Sequence, residues 1–128
     1  KVAVVGDMLA GFGTILIKRP RGHMQDYLDS LQRLIDLDLL RALPAHGPII
    51  TKPGDYCRYY IQHRLEREQS ILDVLAQSPL SEADLLARVY ADIDPRAITM
   101  ARWTLEAHLH KLSSENRILL TADKYQLQ

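Results

Sequence analysis

Leu80-Ser81-Glu82-Ala83-Asp84-Leu85 marks a helix start in two ways at once. Ser81 can accept a hydrogen bond from the backbone amide three residues on, while Leu80 and Leu85 occupy the two positions of a hydrophobic staple. A helix is therefore predicted from Glu82 to about Ala91. Asp94-Pro95 repeats the start signal, with proline where a missing amide hydrogen does no harm. Behind it Ile98, Ala101, Leu105, Leu109 and Leu112 recur at helical spacing, predicting a second helix to about Ser114. Arg117-Ile118-Leu119-Leu120 and Tyr125-Gln126-Leu127 then flank the polar Thr121-Ala122-Asp123-Lys124, the pattern of a hairpin. Before this stretch, Pro53 opens a pattern of Tyr56, Tyr60, Ile61, Leu65, Ile71, Leu72 and Leu75 that reads as one long helix or two with a break. Within it Arg64 and Glu68, four apart, are placed to support each other on the helix surface. Three helices and a hairpin, in that order, make a winged helix over residues 63–128.

Residues 1–62 have a different texture. Val2 to Val5 and Thr14 to Ile17 read as short strands around the bend Gly6-Asp7-Met8-Leu9-Ala10-Gly11-Phe12-Gly13, and the basic loop Lys18-Arg19-Pro20-Arg21-Gly22 follows. Leu28, Leu31, Leu34, Ile35 and Leu39 mark an amphipathic helix from about Met24 to Leu39. After it, Pro44-Ala45-His46-Gly47-Pro48 is a stiff turn around one histidine. The chain begins with Lys1 and runs directly into a strand, so it is expected to be the tail of a longer protein.

Composition narrows the function classes. The 128 residues carry 16 basic and 16 acidic side chains, with 47% apolar residues, so a folded core is expected and net charge names no partner. Up to Gln62 there are 8 basic and 6 acidic residues; beyond it, 8 and 10. The helical tail is thus net −2, which weakens the inference from winged-helix shape to duplex binding, since phosphate contacts need uncompensated cations. No apolar run approaches the roughly 20 residues that span a bilayer. A single cysteine, Cys57, forms no internal disulfide, and a cytoplasmic location is expected.

Two residues stand out as chemistry. Asp7 follows an apolar strand, where a charge needs compensation if buried. His46 is held in place by its proline-flanked turn, as a metal ligand or general base requires. Taken alone, an acid after a strand is more often an ordinary loop residue, and a histidine in a tight turn is more often structural. His108 and His110, two apart on a helix, point about 200° away from each other and cannot share an ion; they read as surface residues on opposite flanks. Trp103 lies about 160° from the apolar face centred near Leu105 and Leu109. It is either simply exposed or covered by something outside the winged-helix core.

The ordered set Gly6-Asp7, Gly11-Phe12-Gly13-Thr14, Met24-Gln25-Asp26-Tyr27-Leu28-Asp29-Ser30-Leu31, Pro44-Ala45-His46-Gly47-Pro48 and His63-Arg64-Leu65-Glu66-Arg67-Glu68-Gln69 resembles the C-terminal half of the metallo-β-lactamase superfamily, in the branch that appends a winged helix. The resemblance implies an α+β architecture: the end of an αββα sandwich over residues 1–62, then a winged-helix domain over 63–128. It implies one or two metal ions, usually zinc, in the intact parent, with Asp7 matching the family's bridging aspartate and His46 its last histidine. It further implies hydrolysis of an ester, thioester, lactam or phosphodiester by a metal-bound hydroxide, on a small-molecule or nucleic-acid substrate. The family's His-x-His-x-Asp-His motif occurs nowhere in these residues, so the 128 residues alone are expected to be inactive. Trp103, His63 and Arg64 are expected at an interdomain or partner contact. An exposed edge at Val2 to Val5 makes a homo-oligomer the expected assembly. The rival reading is a winged-helix module that binds nucleic acid or protein without catalysis.

Overall fold

The structure, a computed structural model, describes residues 1–13 and 15–128. They form two compact units, the first of residues 1–16 and 25–64 and the second of 17–24 and 65–128. Among the described residues no helix is long and apolar enough to cross a membrane.

The first unit is built on a β-α-β crossover. Strand β1 (Val2–Gly6) leads through a loop into helix α1 (Met24–Asp36), which returns the chain to strand β2 (Arg41–Pro44). β1 and β2 pair in parallel, Val2 opposite Arg41, Ala3 opposite Ala42 and Val4 opposite Leu43, with the register slipping before Gly6 meets Pro44. Parallel strands require such a crossover, and a helix is its usual form. Ala42 also bridges to Ile50 on its other side, which leaves it fully buried. Leu28 and Leu31 of α1 are buried, as are Leu9, Cys57 and Tyr60. α1 ends before Leu39 because Asp38 adopts a left-handed conformation at φ 49°. On β1, Val4 remains 82% exposed.

Two sequence expectations fail here. Residues 15–17 form no strand, while Thr14 lies outside the described residues. A backbone carbonyl of this segment, that of Ile15, accepts instead from the Arg64 guanidinium. The partner of β1 is the stretch Arg41–Pro44, which the sequence presents only as a lead into a turn.

The second unit is the winged helix. Helix α2 (Pro53–Leu75) is unbroken, its residues from 65 onward belonging to this unit, and it is followed by α3 (Glu82–Val89), a single 3-10 turn at Pro95–Ala97, α4 (Ile98–Ser114) and the antiparallel pair β3 (Ile118–Thr121) and β4 (Lys124–Leu127). Ser81 caps α3 by accepting from the Asp84 amide, and Asp94 caps the 3-10 turn through Arg96. Ile71, Leu72 and Leu75 of α2, Leu85, Leu86 and Val89 of α3, and Leu105, Leu109 and Leu112 of α4 share one core with Leu80 and Ile118. Ile98, expected on the core face, is 40% exposed; it lies at the junction of the 3-10 turn and α4, where the tighter winding turns it off the apolar stripe. The wing is tied down by two backbone hydrogen bonds between Leu80 and Tyr125, of 3.0 and 2.8 Å. Leu109, 2% exposed, should destabilise the domain by about 2 to 5 kcal/mol when changed to alanine, since the surrounding helices cannot close the cavity. Chemical denaturation of the variant checks this, and a loss below about 0.5 kcal/mol, the range of surface changes, contradicts the packing.

A buried charge cluster joins α2 to α4. Glu68 accepts from Lys111 Nζ at 2.7 Å and lies 3.2 Å from His108 Nδ1; Arg117 stands 3.6 Å away. Lys111 also pairs with Glu115 at 2.7 Å. This corrects two expectations. His108 is 0% exposed rather than a surface residue, because its flank of α4 faces the acid of α2. Glu68 is buried and pairs across helices, rather than standing on the surface of its own helix.

Candidate metal centre

Because β1 and β2 are parallel, their C-terminal ends emerge at the same edge of the sheet, and side chains just beyond those ends converge. That edge is where open α/β sheets collect ligands. Asp7 follows Gly6 at the end of β1, and His46 follows Pro44-Ala45 at the end of β2. The Ala45 amide donates to the Gly6 carbonyl at 2.9 Å, so the two strand exits are joined by backbone.

His46 Nε2 lies 3.4 Å from Asp7 Oδ1, and both side chains are open to solvent, at 72% and 76% exposure. The separation is informative. A charge-assisted hydrogen bond between such groups would close to about 2.7 to 2.9 Å. Two donors at about 2.0 to 2.2 Å from one tetrahedral ion stand about 3.4 Å apart. The pair is thus spaced as two ligands of one ion, and carboxylate with imidazole is a donor set suited to zinc. Among the described residues no group of three or more His, Cys, Asp and Glu side chains is placed to hold an ion; Asp7 and His46 form a pair.

Two glycines make this approach possible. The Gly11 amide donates to the His46 carbonyl at 3.0 Å, and a Cβ on Gly11 would stand 2.5 Å from Pro48 Cδ. Gly47, at φ +86°, has the left-handed backbone that glycine tolerates, and a Cβ there would meet Gly11 Cα at 2.8 Å. The loop after β1 and the turn after β2 are therefore in contact backbone to backbone, and Phe12, 65% exposed, rests beside Gly47. Gly11→Ala is expected to push the loops apart and lower metal affinity about 10 to 100-fold, the scale on which supporting residues act. Metal titration of the variant tests this, and unchanged affinity would show that the contact does not position the ligands.

The remaining singled-out residues lie elsewhere. His63, on α2, stacks in parallel on Tyr59 with ring centroids 6.1 Å apart. Arg64, next along the helix, is buried, reaching Ile15 and lying 5.8 Å over the Tyr27 ring. Trp103 is partly buried, and Lys18 Nζ sits 3.9 Å above its ring. Lys18 belongs to the 17–24 segment, which clusters with the second unit. His23, of the same segment, meets His110 at 5.8 Å between ring centroids. Sequence patterning does not announce the Glu68 cluster; the one signal for it is that His108 and Lys111, three apart on α4, share a flank.

Residues 81–125 match the family model of the β-lactamase associated winged helix domain. The chain is 32% identical over 116 residues to a β-lactamase-like protein 2 homolog of Drosophila melanogaster, covering 88% of this chain and 38% of that one. It is 37% identical over 97 residues to the Caenorhabditis elegans homolog, covering 75% and 31%. The chain belongs to the β-lactamase-like family, in its C-terminal region. It spans between 31% and 38% of the length of these relatives. A crystal structure of a metallo-β-lactamase family protein from Thermus thermophilus superposes on 98% of this chain and 41% of its own with a TM-score of 0.80, at 21% identity. The fold is accordingly the C-terminal part of a metallo-β-lactamase sandwich followed by a winged helix.

Proposed function

We propose that Asp7 and His46 are two of the metal ligands of a metal-dependent hydrolase, with zinc, one or two ions in the intact protein, as the metal. The observation that carries this is the 3.4 Å separation of the two donors at the shared edge of parallel strands. When bound, the metal lowers the pKa of water and polarises the scissile group of an ester, thioester, lactam or phosphodiester. Asp7 contributes a negative charge that helps retain a dication. His46 contributes an imidazole nitrogen donor, and the hydrogen bond from the Gly11 amide to its carbonyl holds the backbone of its turn. Phe12, exposed beside Gly47, offers an apolar contact for substrate. A cytoplasmic location accords with the lone, buried Cys57.

The test is metal content of an intact chain of the relatives' length, measured after dialysis, for the parent and for His46→Ala. Retained zinc in the parent and its loss in the variant are expected; equal zinc in both would remove His46 from the ligand set. The alternative, a winged helix that binds nucleic acid, has less support, since its tail is net acidic and Lys18 is engaged on Trp103. Titrating duplex at several salt concentrations separates the two readings, because phosphate binding weakens steeply with salt.

A further inference from the structure

The loop that follows β1 carries Asp7 and touches the turn of His46, yet residues 7–13 lie in neither helix nor strand. Leu9 and Ala10 of this loop are buried, so its backbone polar groups cannot all turn to water and need partners within the protein. Side chains of two helices supply several of them. The Met8 amide donates to the Val5 carbonyl at 3.0 Å, while the Met8 carbonyl accepts from the Tyr27 hydroxyl of α1 at 3.3 Å. The Gly13 carbonyl accepts from the Tyr60 hydroxyl of α2. One turn further along α2, Arg64 donates to the Ile15 carbonyl and lies over the Tyr27 ring.

Tyr27, Tyr60 and Arg64 are all buried. Burial, then the bond with the Tyr56 side chain, pushes the Tyr60 hydroxyl far above its ordinary range. Burial also pushes the Tyr27 hydroxyl up to about 12, against the opposing charge of Arg64. Both therefore keep their protons at neutral pH and remain donors.

The places at which these tethers fall link them to the site. Met8 follows Asp7 directly, so fixing its amide and its carbonyl fixes the peptide that leaves the acid. Gly13 is two residues beyond Gly11, whose amide donates to the His46 carbonyl at 3.0 Å. The two tyrosines thus hold the loop on either side of the contact that accompanies the 3.4 Å approach of Asp7 to His46. Filling space does not require either hydroxyl. A phenylalanine ring occupies nearly the same volume but leaves the loop carbonyl without its donor, and a ligand on a loop is placed only as well as the loop is held.

We propose that Tyr27 and Tyr60 are positioning residues for the metal centre, holding the loop after β1 by the Met8 and Gly13 carbonyls so that Asp7 faces His46. The proposal rests on the reading of that pair as metal ligands. Each tyrosine acts through backbone and touches neither metal nor substrate.

The experiment uses an intact chain of the relatives' length and its Tyr27→Phe, Tyr60→Phe and Tyr59→Phe variants. Zinc constants are measured by competition with a chromophoric chelator, and the exchange of the Gly11 amide is followed in the metal-free proteins. Tyr27→Phe and Tyr60→Phe should each weaken zinc about tenfold, within the range for supporting residues, and Tyr60→Phe should speed Gly11 exchange by local opening. Tyr59, 63% exposed, should lose its hydroxyl without effect on either reading. A change that only lowers stability leaves nearly all of the protein folded and does not move the zinc constant, and unfolding midpoints verify that the variants are folded. The two tyrosines are tested independently, so misfolding of one variant leaves the other. A parent that retains no zinc after dialysis overturns the ligand reading and this proposal with it. A parent that retains zinc while both folded variants bind it within about twofold of the parent, well short of the effect of supporting residues, overturns the proposal alone. Faster Gly11 exchange with an unchanged zinc constant does the same, since the tether would then be structural only.

Discussion

Asp7→Ala in an intact chain is expected to lower metal-dependent hydrolysis about a thousandfold or more, and to reduce the metal the protein retains. A bound metal contributes several kcal/mol of charge stabilisation to such reactions, and each 1.36 kcal/mol is tenfold in rate. Asp7 is exposed and serves no packing role: its side chain is 76% open, and its contact at 3.4 Å is to His46. The variant should therefore unfold at the same denaturant concentration as the parent, which separates loss of a ligand from loss of the fold. Hydrolysis of a generic ester and a phosphodiester, read alongside zinc stoichiometry, decides it. An Asp7→Ala protein with full turnover and full metal would end the assignment. The 128 residues alone are expected to hold zinc weakly and show no turnover. A catalytic site needs about three protein ligands and an open position, and Asp7 with His46 supplies two.

Glu68→Ala is expected to be the most damaging single change to stability, at about 3 to 5 kcal/mol, because it removes the buried carboxylate on which His108, Lys111 and Arg117 converge. Lys111 would keep Glu115, 2.7 Å away, but His108 would lose the carboxylate that faces it. Burial pushes the Glu68 carboxyl up, yet the hydrogen bonds from His108 and Lys111 outweigh it, leaving the group below its ordinary 4.5. A carboxylate depressed on folding contributes stability at pH above its unfolded value. That contribution is lost as pH falls below about 4.5 through the lower folded value. Lys111 is shifted in the opposite sense: burial lowers it, but bonds to Glu115 and Glu68 raise it above 10.5. Its contribution is complete below about 10.5 and lost as pH rises beyond that through the folded value. Denaturant midpoints measured across about pH 3 to 7 should therefore fall more steeply on the acid side for the parent than for Glu68→Gln. Parallel curves would show that Glu68 does not carry the acid sensitivity.

Short-range signals are legible in the sequence because their physics is local. The cap at Ser81, the staple of Leu80 and Leu85, and the spacing of Leu105, Leu109 and Leu112 each involve residues within one or two helical turns. Each is satisfied as soon as the helix forms. The hairpin is legible for the same reason, since its two strands adjoin one polar turn. The candidate ligands are also readable, though as residue types in particular surroundings rather than as a pair.

Long-range pairing is not legible, and the residues show why. Arg41–Pro44 is too short and too mixed to announce a strand; it becomes one because α1 delivers it beside β1. Ile15-Leu16-Ile17 has strand composition but pairs with no strand among the described residues, and its Ile15 carbonyl goes to Arg64 instead. His108 looks like any helical histidine until Glu68, 40 residues away, is packed against it. The sequence by itself placed the helices approximately, marked the caps at Ser81 and Asp94 and most of the apolar core of the winged helix, and singled out Asp7 and His46 as candidates. Only the tertiary structure decided that Asp7 and His46 stand 3.4 Å apart, that Lys18 lies on Trp103, and that Glu68 is buried against His108 and Lys111. Local order follows from propensity and periodicity along a few residues, whereas distances between remote side chains are set by how whole elements pack.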